Sequence, residues 1–344
     1  MVALLFTSFA SQPSHAQLNV SSLGPAPKTE DGRFENSVGV LSHGSTSVRL
    51  GFLFRAAART FMSFPGAPEH IANNGSALRA NGNASEPTVT WIGHATFLVQ
   101  MDGVNFLTDP IWSERASPLS FAGPKRLVAP GVAIEDLPPI DFVVISHNHY
   151  DHLDLPTLVA LAERDSNTRF IVPLENGPLL RKNGIETITE LDWGGSFDVK
   201  GVTVYCTPIQ HWSKRSLNDT RKSLWSSWAV IGESRRFFFA GDTGYFDGFA
   251  QIGQLLGPFD AAAIPIGAYE PSSMMRPSHM NPEEAAQAAI DLNTKAAIGM
   301  HFGTFNLTQE PIDEPPKRFR AAMAETALGE SGGLVMKIGE TRPF

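Results

Sequence analysis

The chain has 344 residues, with 27 basic against 35 acidic side chains for a formal net charge of −8. That acidic balance counts against a nucleic-acid binder relying on a broad basic field. A single cysteine excludes an intramolecular disulfide framework and any metal site built on several thiolates, so a metal ion here has to be held by imidazole and carboxylate. With 42% hydrophobic and 18% charged residues, the chain can bury a sizeable core and lacks the composition of a disordered one.

Residues 1–16 open with an apolar run, and Ser14 and Ala16 form a small-x-small pattern like a signal cleavage site, although no Lys or Arg precedes the run. From residue 17 to 87 Ser, Gly, Asn, Pro and Ala abound, which predicts an extended N-terminal arm. Within it, residues 50–64 set Arg55 and Arg59 one turn apart, with Phe54, Phe61 and Met62 among the apolar residues elsewhere. A helix of this kind can lie on a membrane surface or pack on the main domain. No later run reaches the roughly 18 apolar residues of a spanning helix.

After Pro87, short apolar runs with turn residues between them predict strands at 88–92, 104–108, 141–146, 169–172, 202–207, 227–231, 236–240, 261–266, 296–300 and 334–338. Helical patterns intervene at 155–163, 175–182, 248–256 and 282–292. The last has Asn281 as a cap, Pro282 at the first position and Glu283 and Glu284 in the first turn. Strands alternating with helices predict sheets covered by helices, in one domain over residues 88–344.

The chemistry lies where the apolar runs end. One run leads into His147, His149, Asp151 and His152; others lead into His211, Asp242 and His301. Three imidazoles and a carboxylate within six residues make a poor core, and two metal ions are the natural reading. In an extended loop His147 and His149 project the same way and can share one ion, while Asp151 and His152 reach a neighbouring one. His211 and His301 complete the shells, and Asp242 can bridge with its two oxygens. Water between two such ions loses a proton near neutral pH, and Asp151 is placed to orient it. Nitrogen and oxygen donors suit zinc, and also iron or manganese.

The motifs Trp91-Ile-Gly-His-Ala-Thr96, Leu107-Thr-Asp-Pro110, Gly123-Pro-Lys-Arg126, Ser146-His-Asn-His-Tyr-Asp-His-Leu-Asp154, Gln210-His-Trp212, Phe237-Phe-Phe-Ala-Gly-Asp-Thr-Gly-Tyr245 and Ile264-Pro-Ile-Gly-Ala-Tyr-Glu-Pro271 extend the ligand set. In order and spacing they resemble the metallo-β-lactamase superfamily, and within it the N-acyl-phosphatidylethanolamine-hydrolysing phospholipase D family. The resemblance runs from about residue 87 to the C-terminus and leaves the arm poorly covered. It implies an α/β four-layer αββα sandwich carrying two Zn2+ ions. His147, His149 and His211 would hold the first, Asp151, His152 and His301 the second, and Asp242 both. Asp109 is implied to orient a ligand from behind, and His279 to sit near the substrate and help neutralise phosphate charge.

The activity implied is cleavage of an N-acyl phospholipid at a membrane surface, by hydroxide held between the ions, to an N-acylethanolamine and phosphatidic acid. Lys214 is a candidate phosphate contact, and Tyr150 and Tyr269 are candidate pocket residues. Export with membrane association is the expected location, with a cytoplasmic peripheral protein as the alternative, and a homodimer is compatible with the resemblance. Competing readings are a lactonase or other hydrolase with the same ligand loop, and a membrane-associated metal-binding scaffold. His94 reads equally as structural or catalytic, Cys206 as a buried inert thiol, and His15, His43 and His70 as solvated bystanders.

Overall fold

The computed structural model describes residues 18–42, 44–45, 47–48, 50–52 and 68–344. The signal-like segment and most of the expected amphipathic helix at 50–64 lie outside them. Among the described residues, no helix is long and apolar enough to cross a membrane.

Two seven-stranded mixed sheets form the centre of the molecule. The first contains β1 (Thr88–Gly93), β2 (Thr96–Met101), β3 (Val104–Thr108), β4 (Phe142–Val144), β5 (Arg169–Pro173) and β6 (Ile188–Leu191), with the C-terminal strand β14 (Thr341–Pro343) on the free side of β1. In the second, β7 (Ser196–Val199), β8 (Val202–Thr207), β9 (Ser227–Ile231), β10 (Arg236–Phe239), β11 (Ala261–Pro265), β12 (Ala297–Met300) and β13 (Gly333–Leu334) lie in sequence order. Neighbours β3, β4, β5 and β6 run parallel, as do β10, β11, β12 and β13.

The two-residue alternation of a strand sorts the side chains of the first sheet between two environments. Phe97, Val99, Phe106, Phe142, Val144 and Ile171 face the space between the sheets. Leu98, Leu107, Val143, Phe170 and Val172 join Leu158 and Leu161 of α2 (Leu155–Arg164) and Leu180 of α3 (Gly177–Lys182) on the outer face; the short α1 (Ser76–Ala80) adds Leu78. On the second sheet Phe237 meets Phe106 of the first, with ring centroids 5.9 Å apart, while Phe238 meets Phe259, at 5.2 Å. The outer layer there comprises α4 (Gly248–Leu256), α6 (Pro282–Asp291) and α7 (Glu314–Ala324), which bury residues such as Ile252, Ala285 and Phe319. A four-residue helix, α5 (Ser272–Met275), precedes α6. The result is the αββα sandwich expected. Each fully buried Phe or Leu is worth roughly 1.5–3 kcal/mol relative to exposure.

Several elements differ from expectation. Strands β2, β6, β7 and β14 and helices α1, α5 and α7 are additional, and the run at 334–338 yields only the end of β13. The cap at Asn281 is present as a full capping box with Glu284. The arm departs most from its reading: Val20, Leu23 and Phe34 are buried in the main core, so residues 18–42 pack on the domain instead of trailing from it.

Candidate metal centre

The site sits at the carboxyl ends of strands from both sheets, the edge where loops can converge without breaking the ladders. Asp109 follows β3, the loop at 145–152 follows β4, His211 follows β8, Asp242 follows β10 and His301 follows β12. Gly241 lets β10 deliver Asp242: its φ is +61°, and a Cβ there would stand 2.6 Å from that of Ser146. His94, Asp109, Ala268 and His301 also have positive φ, a strained conformation for residues with side chains.

Two donor groups result. His147 Nε2 lies 2.8 Å from His149 Nδ1, which lies 3.2 Å from His211 Nε2. In the second group His152 Nε2 and His301 Nε2 are 3.2 Å apart, and Asp151 Oδ2 is 3.4 and 3.3 Å from them. Asp242 reaches the same pair, with Oδ2 at 3.0 Å from His152 Nε2 and Oδ1 at 3.1 Å from His301 Nε2. Donors sharing an ion at 2.0–2.2 Å lie about 3–3.5 Å apart, which the second group matches; in the first, the His147–His149 pair is slightly closer. Asp242 Oδ1 is buried without a hydrogen bond despite its closeness to His301. Such convergence of lone pairs suits divalent ions better than a hydrogen-bond network.

The supporting contacts set the tautomers. His147 Nδ1 donates to Ser146 Oγ, at 2.9 Å, and Ser146 Oγ donates in turn to Asp109. His152 Nδ1 donates to Asp109 Oδ2 at 2.6 Å, and Ser146 N donates to Asp109 Oδ1 at 2.6 Å. His211 Nδ1 donates to Ser278 O, at 3.0 Å. Each of these imidazoles thereby turns its Nε2 toward the cluster.

Burial, the largest influence, holds His149 at about 4 and keeps His147 and His211 well below the ordinary imidazole value, so all three are neutral donors at pH 7. At His152 and His301 burial also disfavours charge, but Asp242 and Asp151 outweigh it and raise both, His301 to about 9. The carboxylates thus draw positive charge to the second group, where a dication competes with protons.

All seven expected ligands come together here, and Asp109 lies behind them as expected. The other candidates divide. His279 lines the adjoining cavity of about 530 Å3 with Lys214, His149, Asp151, His211 and Asp242. Its Nδ1 is 3.9 Å from Asp242, and burial holds it at about 4. Uncharged, this imidazole can hydrogen-bond a substrate.

Tyr150 and Tyr269 do not line this cavity. The Tyr150 hydroxyl donates to Arg215 O at 2.8 Å, and the residue lines a separate cavity together with Asn148, Asp154 and Arg215. Tyr269 is buried, with its hydroxyl bonded to Glu314 at 2.7 Å. His94 has a defined contact: its Nε2 is 2.9 Å from Asp151 Oδ2, and its ring packs 4.0 Å from that of His301. Sequence reasoning missed several cavity residues, among them Arg221, Asn36, Leu41 and Leu307, for which no local pattern gave a signal.

The β-lactamase superfamily domain matches residues 104–302. N-acyl-phosphatidylethanolamine-hydrolyzing phospholipase D 1 of Caenorhabditis elegans is 45% identical over 73% of this chain and 74% of its own. The mitochondrial N-acyl-phosphatidylethanolamine-hydrolyzing phospholipase D of Saccharomyces cerevisiae is 36% identical over 75% of this chain and 55% of its own. Among solved structures, a metallo hydrolase from Ignicoccus hospitalis has 25% identity and a TM-score of 0.58, covering 76% of this chain and 99% of that one. With the sandwich, the ligand edge and these similarities together, the chain belongs to the metallo-β-lactamase superfamily as a metal-dependent hydrolase, in the branch of the N-acyl-phosphatidylethanolamine-hydrolyzing phospholipases D.

Proposed function

We propose that the protein is a dinuclear-zinc phosphodiesterase of phospholipase D type, which hydrolyses N-acyl-phosphatidylethanolamine-like lipids to an N-acylethanolamine and phosphatidic acid. The observation that carries this reading is the cavity of about 530 Å3 beside the donor groups, which sets the cations Lys214 and Arg221 together with the apolar side chains of Leu41, Met274, Met275 and Leu307. A phosphodiester with acyl chains needs that combination of a cationic contact and an apolar wall. The 45% identity to the C. elegans enzyme supports the same substrate class.

Bound divalent ions would supply an activated water near neutral pH and stabilise charge on the phosphoryl oxygens. His147, His149 and His211 would hold one ion, Asp151, His152 and His301 the other, with Asp242 shared. Asp151, its Oδ2 steadied by His94, orients the attacking water and takes up its proton. Neutral His279 hydrogen-bonds the phosphodiester, and Lys214 and Arg221 meet its charge. Val40, 67% exposed on the cavity wall, would face the lipid surface from which substrate enters.

Metal-replete protein should be offered N-acyl-phosphatidylethanolamine, phosphatidylcholine and an acyl lactone, with products read by mass spectrometry. Paired release of N-acylethanolamine and phosphatidic acid is the expected result. Turnover of the lactone alone would sink the proposal.

A further inference from the structure

The matched superfamily domain begins at residue 104, so the N-terminal arm lies outside it. Arm residues nevertheless reach the site: Val40 and Leu41 line its cavity, and Asn36 touches His211 directly. Asn36, 3% exposed, donates from Nδ2 to His211 O at 2.9 Å and accepts at Oδ1 from His211 N at 3.0 Å. The same Oδ1 accepts from Trp225 Nε1 at 2.9 Å, and Asn36 itself lines the 530 Å3 cavity. We propose that Asn36 is a positioning residue for the metal ligand His211, and that the arm is thereby a working wall of the active site.

The need for such a residue arises from the chain path. His211 stands beyond the end of β8 at Thr207, so its backbone has left the ladder that would pair it. A primary carboxamide offers one donor and one acceptor side by side, and so can pair both backbone groups of a residue as a neighbouring strand would. The ring of His211 is fixed separately, through Nδ1 and Ser278 O. Asn36 therefore governs where the backbone sits, and with it the distance of Nε2 from His149.

The arm has other anchors that do not touch His211. Phe34 is fully buried, and its N–H donates to Arg221 O at 2.8 Å. Arg33 Nη1 donates to Thr220 O. Replacing Asn36 leaves these in place, so the arm can stay docked while the ligand loses its support.

The inference rests on the three-imidazole metal group and not on the identity of the substrate. The test compares the full-length wild type, Asn36→Ala, Asn36→Asp and the control Arg33→Ala, each loaded with Co(II). It reads binding stoichiometry, affinity, visible absorption and melting temperature. Loss of an outer partner of a metal ligand typically weakens metal binding about 10- to 100-fold, and that loss is expected for one of the two ions in both Asn36 variants. The absorption of that ion should shift, while Arg33→Ala matches the wild type. Asn36→Asp is isosteric but sets a carboxylate oxygen against His211 O, so it should do no better than Ala. It carries the comparison alone if Asn36→Ala does not fold.

Folded Asn36 variants with wild-type affinity and spectrum would overturn the proposal. So would an equal spectral shift in Arg33→Ala, which would reduce the effect to general packing. A wild type that binds fewer than two Co(II) ions overturns the dinuclear reading instead, and is visible before any variant is compared.

Discussion

Asp109 Oδ2 stands 2.6 Å from His152 Nδ1, both side chains being fully buried, and through Ser146 Oγ the same carboxylate also supports His147. One acidic residue thereby aligns an imidazole in each donor group. Asp109→Asn keeps the volume but puts an amide where two donors converge. The expected outcome is a fall of about 10- to 100-fold in metal affinity or activity, with both ions affected. Metal analysis showing only one ion weakened would contradict the shared role.

His94 Nε2 holds Asp151 Oδ2 at 2.9 Å. Removing it in His94→Ala should leave the three-imidazole group intact while freeing Asp151 to rotate. We expect kcat to fall about tenfold or more, in the range of general acid–base contributions, with KM changed less. Steady-state kinetics beside Co(II) titration separates the two quantities, and an unchanged kcat would remove His94 from the mechanism.

Metal removal should cost both activity and stability. An ion that binds only the folded chain adds about 2.7 kcal/mol at a free concentration 100 times its Kd. Chelator-treated protein should therefore melt several degrees lower, and added zinc should restore both melting temperature and hydrolysis. Equal melting of treated and untreated protein, with hydrolysis intact, would count against a metal centre.

Cys206 is fully buried, and burial pushes its thiol well above the ordinary value of 9.0. The native protein should resist thiol reagents at pH 8 and yield one equivalent only when unfolded. The sign of its pH effect is also set. Above about pH 9 the unfolded chain loses the thiol proton while the folded chain keeps it, so stability falls by up to about 1.4 kcal/mol per pH unit. Cys206→Ala should flatten that slope in denaturant titrations at pH 9 and 10.

The ligand set was legible because each donor closes an apolar run, and a strand cannot continue through such a cluster without burying unpaired polar groups. His147, His149, His152 and Asp151 announced themselves by local density. Strand β2 escaped because Thr96–Met101 is buried at every position and shows no alternation. Strand β6, Ile188–Leu191, is half-buried throughout and equally flat in pattern. Helix α7 buries only Pro315, Phe319 and Met323, a stripe of period four among charged neighbours that only its tertiary partners make plain. Asn36 had no local signal at all, since its role depends on a backbone 175 residues away.

The interleaving of the ligands has a consequence for biosynthesis. The three-imidazole group takes His147 and His149 from the loop after β4 but His211 from beyond β8, and the second group waits for Asp242 and His301. Neither half of the chain can assemble a complete donor group by itself. A nascent polypeptide lacks a donor of the second group until residue 301 has been made. A product truncated before residue 301 would lack His301 and leave the second donor group one imidazole short.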